Sequence, residues 1–422
     1  MRNSRFTRQE WIRALYAALV VFCLYTSLFS FRKAFNVAAF SGYTLWGLDY
    51  KIVLVITQVM GYMASKFYGI RFIAEMGRIG RGKLILLLTG IAWLSWLAFA
   101  LVPAPYNFWC LFLNGFPLGM LWGIVFSYIE GRRMTDLISA ALAVSFIFGS
   151  GVAKSVASFT MNQWQVSEYW MPFVTGAIFS APLLLFIYLV EKIPPPGEAD
   201  IAQRTIRLPM PVSERRGLLK RYGAGLALLV FVYMLVTILR EVRDSFMADM
   251  WRETGAVTDF SVFAQTETII SLCMLFLIAS MVTIRDNWRA FNLTHYIMAG
   301  GFLLCLLVTI AFNKGMISPW WWMLMVGMGL YLVYIPFNSI LFERFIASFR
   351  IVGNVGFLIY LADAFGYLGS VAVLMSKTVF KLDISWLNFF IGLVMITGVA
   401  GLLATLASGI YFSRKRKQSE VQ

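Results

Sequence analysis

Residues 14–38 read ALYAALVVFCLYTSLFSFRKAFNVA, an apolar run that is long enough to cross a bilayer as one α-helix. Two basic residues, Arg32 and Lys33, lie in its outer part, and apolar residues continue beyond them to Phe40. Residues 223–248 read GAGLALLVFVYMLVTILREVRDSFMA and carry charges at the corresponding place. Because charged side chains inside a bilayer are costly and mark functional sites, these two runs predict a helical membrane protein with a site at those charges.

The composition places the whole chain in the same class. Of its 422 residues, 60% are hydrophobic and 14% are charged, whereas soluble domains average about 45–50% apolar and about 25% charged residues. So few charged side chains cannot cover the surfaces of soluble domains, which excludes soluble, fibrous and disordered proteins. The apolar runs also lack the two-residue alternation of barrel strands. The sequence therefore predicts an all-α polytopic membrane protein.

The apolar runs predict twelve transmembrane helices, at about 14–38, 50–70, 84–102, 108–129, 137–160, 170–190, 223–248, 262–284, 292–312, 320–342, 350–375 and 385–412. The longest polar gap, 191–222, contains Pro194, Pro195 and Pro196, which cannot continue a helix. It divides the chain into two six-helix halves. We expect an N-terminal bundle, a cytoplasmic basic linker, a C-terminal bundle and a cytoplasmic basic tail, at 1–190, 191–222, 223–412 and 413–422.

The distribution of basic residues predicts the orientation. Of the Lys and Arg residues, 25 lie on the same side of the predicted spans as the termini and 4 lie in the opposite loops. Since cytoplasmic loops carry the excess of Lys and Arg, we expect both termini in the cytoplasm and the protein in the cell (inner) membrane. The same placement accounts for the net charge of +15, so membrane lipids are expected partners and nucleic acid is not.

Cysteine and histidine usage argues against a metal or catalytic centre. The four cysteines lie inside apolar runs without metal-ligand spacing, and His295 is the one histidine. The chain has no phosphate-binding loop of the Walker type, so ATP-driven transport by this chain alone is unsupported. We therefore expect no cofactor, no metal and no catalytic residues, and a membrane-embedded enzyme ranks last among the functions considered.

The two halves share a weak repeat. Tyr25 precedes Arg32 by seven residues, and Tyr233 precedes Arg240 by the same interval. The offset between the two arginines, 208 residues, is close to half the chain. Two matches in aromatic-rich helices could arise by chance, but an intramembrane arginine at equivalent points of both halves favours an internal repeat.

Three segments resemble the organophosphate:phosphate antiporter branch of the major facilitator superfamily: Phe31-Arg32-Lys33-Ala34-Phe35, Ser65-Lys66-Phe67-Tyr68-Gly69 and Phe365-Gly366-Tyr367-Leu368-Gly369. The resemblance implies the superfamily's fold, with two six-helix halves around a central site. It also implies that arginines on helices 1 and 7 clamp the substrate phosphate. Arg32 matches the first arginine by motif and Arg240 the second by position, whereas span 5 has Lys154 and lacks the family's histidine. The sequence is also similar to an uncharacterised group of bacterial transporter-like proteins.

The charges inside the predicted spans define the candidate substrate site, which consists of Arg32, Lys33, Lys154, Arg240 and Arg243. The excess of cations near Arg32 predicts an anionic solute, either phosphorylated or carboxylated. Two structural alternatives remain open. Arg32 and Lys33 could be anchors that extend to the outer membrane interface, and Arg240 could form an ion pair with Asp244 one helical turn away.

Two acidic residues are candidates for ion coupling. Asp363 lies about 13 residues into span 11, near the middle of the bilayer, and Glu267 lies nearer the outer end of span 8. Each could carry a proton, because a carboxylate in the bilayer is either paired or protonated. Inorganic phosphate is the other candidate coupling ion. A static ion pair between Asp363 and Lys154 is the structural alternative.

These features favour a secondary active transporter that moves a small anionic solute by alternating access. A transporter-like receptor, membrane scaffold or partner subunit that does not transport is the alternative from a different functional class. A solute that binds and is then taken up into liposomes would distinguish the two.

Overall fold

The computed structural model describes residues 7–75, 80–129, 132, 134–195, 212–255, 259–349, 351, 355–379 and 384–421. The centre of the expected linker, 196–211, lies outside the described residues, as do the side chains of 66–69 in the second resembling segment.

Within the described residues the chain forms thirteen α-helices: α1 (Arg8–Lys33), α2 (Tyr50–Glu75), α3 (Arg81–Leu101), α4 (Trp109–Phe126), α5 (Thr135–Asn162), α6 (Met171–Glu191), α7 (Val212–Glu253), α8 (Val262–Val282), α9 (Asn287–Asn313), α10 (Pro319–Ser339), α11 (Leu341–Ser348), α12 (Val355–Val379) and α13 (Trp386–Val421). All except α11 coincide with a predicted span. The segment 413–421, expected as a tail, continues helix α13.

Local sequence sets several helix boundaries. At the start of α1, the Thr7 side chain accepts a hydrogen bond from the Glu10 amide at 3.2 Å, and the Glu10 carboxylate accepts from the Thr7 amide at 2.7 Å. This capping box satisfies amides that have no partner within the helix. The Asp286 side chain caps α9 in the same way, accepting from the Arg289 amide at 2.6 Å.

Two short elements interrupt the all-helical pattern. A 3₁₀ turn, Ala34–Val37, follows α1, so the expected first span ends its α-helix at Lys33. Between α1 and α2, strands β1 (Thr44–Leu45) and β2 (Leu48–Asp49) form a small antiparallel hairpin. Its turn places Trp46 and Gly47 at positive φ, 56° and 74°, the backbone that two-residue hairpin loops require.

Ten helices of the described chain are long and apolar enough to cross a membrane. The two remaining long helices, α2 and α12, also occupy predicted spans. The chain is therefore an integral multi-pass membrane protein built of helices, as the composition predicts.

The chain forms two compact units. Unit 1 contains Met1–Arg204 and Asp259–Ser271, and unit 2 contains Thr205–Thr258 and Leu272–Gln422. In unit 1, α1 packs on α5 and α6, and α3 packs on α4 and α6. Unit 2 repeats this pairing, with α7 on α12 and α13, and α9 on α10 and α13. The repeated pairing agrees with the internal repeat that the tyrosine and arginine spacing indicates.

The first part of α8 belongs to unit 1, although its sequence position places it in the second half. The Ser155 hydroxyl of α5 accepts a hydrogen bond from the Ala264 amide at 3.0 Å. Gly151 lies one turn earlier on α5, where an added Cβ would come within 2.7 Å of the Phe263 carbonyl oxygen. This close backbone contact places Glu267, on the next turn of α8, against α5.

Candidate functional site

The two basic residues of the first run are buried at the end of α1. Arg32 is 3% exposed and Lys33 is 1% exposed. Neither side chain extends to the surface, so their burial supports a role inside the helical bundle rather than as interface anchors. Both lie in the last turn of α1, where the partial negative charge of the helix C-terminus stabilises a cation.

Three buried side chains from neighbouring helices bind the last carbonyl groups of α1. Trp96 Nε1 donates to the Phe31 carbonyl at 2.6 Å, and Asn114 Nδ2 donates to the same oxygen at 3.1 Å. Gln58 Nε2 donates to the Arg32 carbonyl at 3.0 Å and to Asn114 Oδ1 at 2.8 Å. Because the end of a helix leaves carbonyl groups without helical partners, these bonds fix the position of the Arg32 backbone.

Glycines allow the helices that carry these amides to approach each other. A Cβ added at Gly115 would lie 2.2 Å from the Gln58 carbonyl oxygen, and one at Gly61 would lie 2.4 Å from the Phe112 carbonyl oxygen. The backbones of α2 and α4 are therefore in direct contact at these positions. This contact brings the side chains of Gln58 and Asn114 within hydrogen-bond distance.

Arg32 lies on an aromatic ring. The carbon of its guanidinium is 3.9 Å from the centroid of the Tyr62 ring and 6.0 Å from that of Phe29. A cation over the face of an aromatic ring gains about 2 kcal/mol when the pair is shielded from water. The N–H donors of a guanidinium lie along the edge of its plane, so stacking on a ring face does not itself occupy them.

Unit 1 contains several more buried charges. Lys51 Nζ donates to the Asn36 carbonyl at 2.9 Å, just after α1, and Lys154 on α5 is 1% exposed. Glu267, expected as a coupling residue, is also 1% exposed. Among its described residues, unit 1 buries four basic side chains and one carboxylate. The buried charge of this unit is thus formally positive.

The arginines of the second run lie among acidic residues. Arg240 forms an ion pair with its neighbour Glu241, and the carbon of its guanidinium lies 4.7 Å from the Tyr334 ring centroid. Arg243 Nη2 donates to the Met323 carbonyl at 3.2 Å. Asp244 is 5% exposed. Among the described residues, unit 2 buries two arginines against three carboxylates, the third of which is Asp363.

Asp363 has a tyrosine partner. The Tyr233 hydroxyl donates to Asp363 Oδ1 at 2.5 Å, and Tyr233 is the tyrosine that precedes Arg240 by seven residues. Gly366, one turn after Asp363, packs against Thr237 on α7, where an added Cβ would lie 3.0 Å from the threonine hydroxyl. This close contact between α7 and α12 places the tyrosine and the carboxylate side by side.

Sequence reasoning identified the charged residues but missed the polar residues that hold them. Gln58, Trp96 and Asn114 are each 2% exposed or less, although they lie in otherwise apolar runs. A single amide inside a predicted span was the available signal, because a buried amide needs hydrogen-bond partners. Lys51, at the border of span 2, and the tyrosines Tyr62 and Tyr334 were missed as well.

Residues 34–415 match the family of unknown function DUF5690. The chain belongs to this family. The match covers both helical units and includes the candidate residues of both, except Arg32 and Lys33, which precede its first residue. No curated protein matches the chain.

Solved structures with the same fold are transporters of the major facilitator superfamily. The D-xylose–proton symporter aligns with a TM-score of 0.62 and 15% identity, covering 94% of this chain and 96% of its own. A peptide transporter in complex with alafosfalin gives a TM-score of 0.63 and 13% identity, covering 95% of each chain. The human organic anion transporter TETRAN aligns with a TM-score of 0.56 and 13% identity, covering 94% of this chain and 98% of its own. This chain therefore has the major facilitator fold, while identities this low carry no information on substrate.

Proposed function

We propose that this DUF5690 protein is a secondary transporter that moves a small anionic solute by alternating access. The observation that carries the proposal is Arg32, a fully buried arginine whose guanidinium is stacked on Tyr62 and whose backbone is fixed by Gln58. A rigid, shielded guanidinium binds phosphate or carboxylate oxygens with two parallel hydrogen bonds.

The charge balance of unit 1 supports an anion rather than a cation as the solute. Burying a charged side chain in a membrane costs about 2.5–3.5 kcal/mol on insertion scales. Unit 1 buries Arg32, Lys33, Lys51 and Lys154 with one carboxylate, Glu267, among its described residues. An anionic solute at this cluster would offset part of that cost. We place Arg32, Lys33 and Lys154 among its ligands.

The second part of the proposal assigns Arg240 and Arg243 to the same solute. In the resemblance to the organophosphate:phosphate antiporters, Arg240 takes the role of the second arginine by position only, and it too lies on a tyrosine ring. Membership of that branch, and hence exchange of a phosphorylated metabolite for inorganic phosphate, is the most specific form of the proposal.

We also propose that protons couple to solute movement through Asp363, with Glu267 as the second candidate. Both side chains are buried, at 7% and 1% exposure. The hydrogen bond from Tyr233 supports Asp363 as the first candidate, since a hydroxyl partner serves the ionised and the protonated carboxyl alike.

Both termini are proposed to face the cytoplasm of the cell (inner) membrane, on the basis of the 25 to 4 division of basic residues. A cysteine at Ser213 should resist a membrane-impermeant reagent added to intact cells, and a cysteine at Thr254 should react. The opposite labelling pattern would reverse the orientation.

The central experiment is a thermal-shift screen of the purified protein against phosphorylated sugars, glycerol phosphate, dicarboxylates and inorganic phosphate, followed by uptake into liposomes. Arg32→Lys and Arg240→Lys should each weaken binding of the stabilising anion by about tenfold or more, because lysine lacks the planar fork. Arg81→Lys is the matched control. Arg81 also lies near a tyrosine ring in unit 1, 5.6 Å from the Tyr128 centroid, but at the start of α3.

Each result has a distinct meaning. If Arg32→Lys and Arg240→Lys both keep wild-type affinity, neither arginine binds the anion. An anion that stabilises the protein but does not enter liposomes would favour the receptor or scaffold function. If cationic or neutral solutes are transported and anions are not, the proposal that the solute is an anion is wrong.

A further inference from the structure

Unit 2 contains a continuous series of contacts from Asp363 to Arg240. Tyr233 donates to Asp363 Oδ1 at 2.5 Å, and its oxygen also lies 3.4 Å from the Tyr334 hydroxyl. The two tyrosine rings are stacked, with centroids 5.5 Å apart and an interplanar angle of 24°. The other end of the series is the Tyr334 ring under Arg240, which pairs with Glu241.

The Tyr233 hydroxyl has one hydrogen and two acceptors within reach, Asp363 Oδ1 and the Tyr334 oxygen. It cannot donate to both at once. When Asp363 is ionised it only accepts, so Tyr233 donates to it and the Tyr334 hydroxyl is left to donate to Tyr233. A protonated Asp363 has a hydrogen of its own to donate, which allows the Tyr233 hydrogen to turn toward Tyr334.

We propose that the hydroxyls of Tyr233 and Tyr334 transmit the protonation state of Asp363 to Arg240. This inference rests on the proposed function, because it assigns the coupling of proton and anion to two neutral residues. The proton passes from water to the Asp363 carboxylate and later returns to water. No proton moves along the tyrosines; both hydroxyl hydrogens only reverse their direction. Because the ring of Tyr334 lies under the guanidinium, reversal of its hydrogen bond changes one of the contacts of Arg240, which also pairs with Glu241.

The groups around Asp363 fit this role. On the described part of unit 2, the titratable and charged side chains of this cluster include Tyr233, Arg240 and Glu241 from α7, Tyr334 from α10 and Tyr367 from α12 itself. Tyr233 and Tyr334 are 1% and 6% exposed. The hydroxyls are therefore shielded from water, which would otherwise take the place of their mutual hydrogen bonds.

Infrared difference spectra of the purified protein between acidic and alkaline pH test the inference without any solute. Asp363→Asn should remove one carboxylic acid band. Tyr233→Phe should shift that band, because the carboxyl loses its hydroxyl partner, and Tyr334→Phe should shift it less. Tyr331→Phe, a buried tyrosine one turn earlier on α10, should leave it unchanged.

The Arg240 end is tested by combining variants. Arg240→Lys should shift the Asp363 band when Tyr233 is present and leave it unmoved in the Tyr233→Phe background. In liposomes, uptake driven by a pH gradient should fall about tenfold or more in Tyr233→Phe, the effect of losing a hydrogen bond to a charged group. Exchange of solute without a gradient should persist.

Several outcomes would overturn the inference. If no band is lost in Asp363→Asn, Asp363 does not change its protonation between the two pH values. If the band is unchanged in Tyr233→Phe, the Tyr233 hydroxyl is not bonded to the protonated carboxyl. An equal effect of Arg240→Lys with and without the Tyr233 hydroxyl excludes a path through the tyrosines. If the bands behave as expected while no anion is transported, the connection between Asp363 and Arg240 through the tyrosines is supported and the proposed transport function is wrong.

Discussion

The arginines at equivalent points of the two units have different neighbours. Each lies on a tyrosine ring, Arg32 at 3.9 Å from Tyr62 and Arg240 at 4.7 Å from Tyr334. Arg240 is next to Glu241, with which it forms an ion pair, whereas the residue next to Arg32 is a second cation, Lys33. The two units therefore share the arginine, but the aromatic ring beside it comes from α2 in unit 1 and from α10 in unit 2, and the neighbouring charge differs.

The tyrosines that precede these arginines also differ. Tyr25 packs edge-on against Trp122, with ring centroids 5.2 Å apart. Its counterpart Tyr233 binds Asp363. We propose a division of labour in which unit 1 supplies most of the positive charge for the anion, with Arg240 and Arg243 adding to it, and unit 2 supplies the main titratable group, Asp363. The predictions below test that division.

The largest expected effect concerns the ion pair of unit 2. Glu241→Gln should lower stability by about 3–5 kcal/mol, because Arg240 would remain buried without its carboxylate. The melting temperature of the purified variant is the measurement. Asp249→Asn is the control, since its pair with Arg252 is exposed, with 46% of the arginine side chain accessible. Exposed pairs contribute about 0–1 kcal/mol.

An unchanged melting temperature in Glu241→Gln would show that the ion pair with Glu241 contributes little to the stability of unit 2. In that case the carboxylate beside Arg240 would not distinguish the two units energetically, and the proposed division of labour would lose its physical basis.

Much of this arrangement could be predicted from the sequence. The apolar runs and the composition are sufficient for the helical fold, because each long helix must be apolar to cross the membrane. The apolar residues on both sides of Arg32 favoured its burial, but the sequence left open an anchor that extends to the membrane interface. The seven-residue spacing that joins Tyr25 to Arg32 and Tyr233 to Arg240 indicated the repeat, which the helix pairings reproduce.

The contacts that define the site could not be predicted, because they depend on distances between helices. Tyr233 and Asp363 are 130 residues apart in sequence, and nothing in either segment identifies the other. The bond between Gln58 and Asn114 depends on the backbone contact at Gly115. The sequence also did not indicate which carboxylate pairs with Arg240. Helical spacing drew attention to Asp244, while the structure shows an ion pair with the adjacent Glu241.

A second prediction tests whether the close packing of α2 on α4 in unit 1 positions Arg32 for the anion. Gly115→Ala would place a methyl group 2.2 Å from the Gln58 carbonyl oxygen, so α2 and α4 must separate. We expect a loss of about 1–3 kcal/mol in stability, as for other overpacked cores, together with weaker binding of the stabilising anion. Thermal unfolding with and without the anion measures both.

Two glycine variants serve as comparisons. Gly329→Ala meets the Gly301 carbonyl oxygen at 2.6 Å in unit 2 and should lower stability without weakening anion binding. Gly90→Ala on α3 meets no atom within 4 Å and should stabilise the helix by up to about 1 kcal/mol. Equal losses of binding in Gly115→Ala and Gly329→Ala would show that binding follows overall stability rather than the geometry of Arg32.

The smallest expected effect separates the two aromatic contacts. Tyr62→Leu removes the ring under Arg32, so we expect binding of the stabilising anion to weaken by about 2 kcal/mol, the upper range for a shielded cation–ring contact. Tyr334→Leu removes the ring under Arg240, but Glu241 still holds that guanidinium, so binding should weaken by less than about 1 kcal/mol. Titrations of the two variants against the same anion give the comparison directly.

Phenylalanine variants show which part of the side chain matters. Tyr62→Phe keeps the ring face and should retain most of the affinity, because the attraction comes from the ring quadrupole. Tyr334→Phe should also retain most of the affinity for the anion, although it loses one of the two hydroxyls assigned to proton coupling. If Tyr62→Phe loses as much affinity as Tyr62→Leu, the hydroxyl of Tyr62 and not its ring supports the anion. Arg32 would then be positioned by hydrogen bonding, as Asp363 is, and the contrast between the two units would disappear.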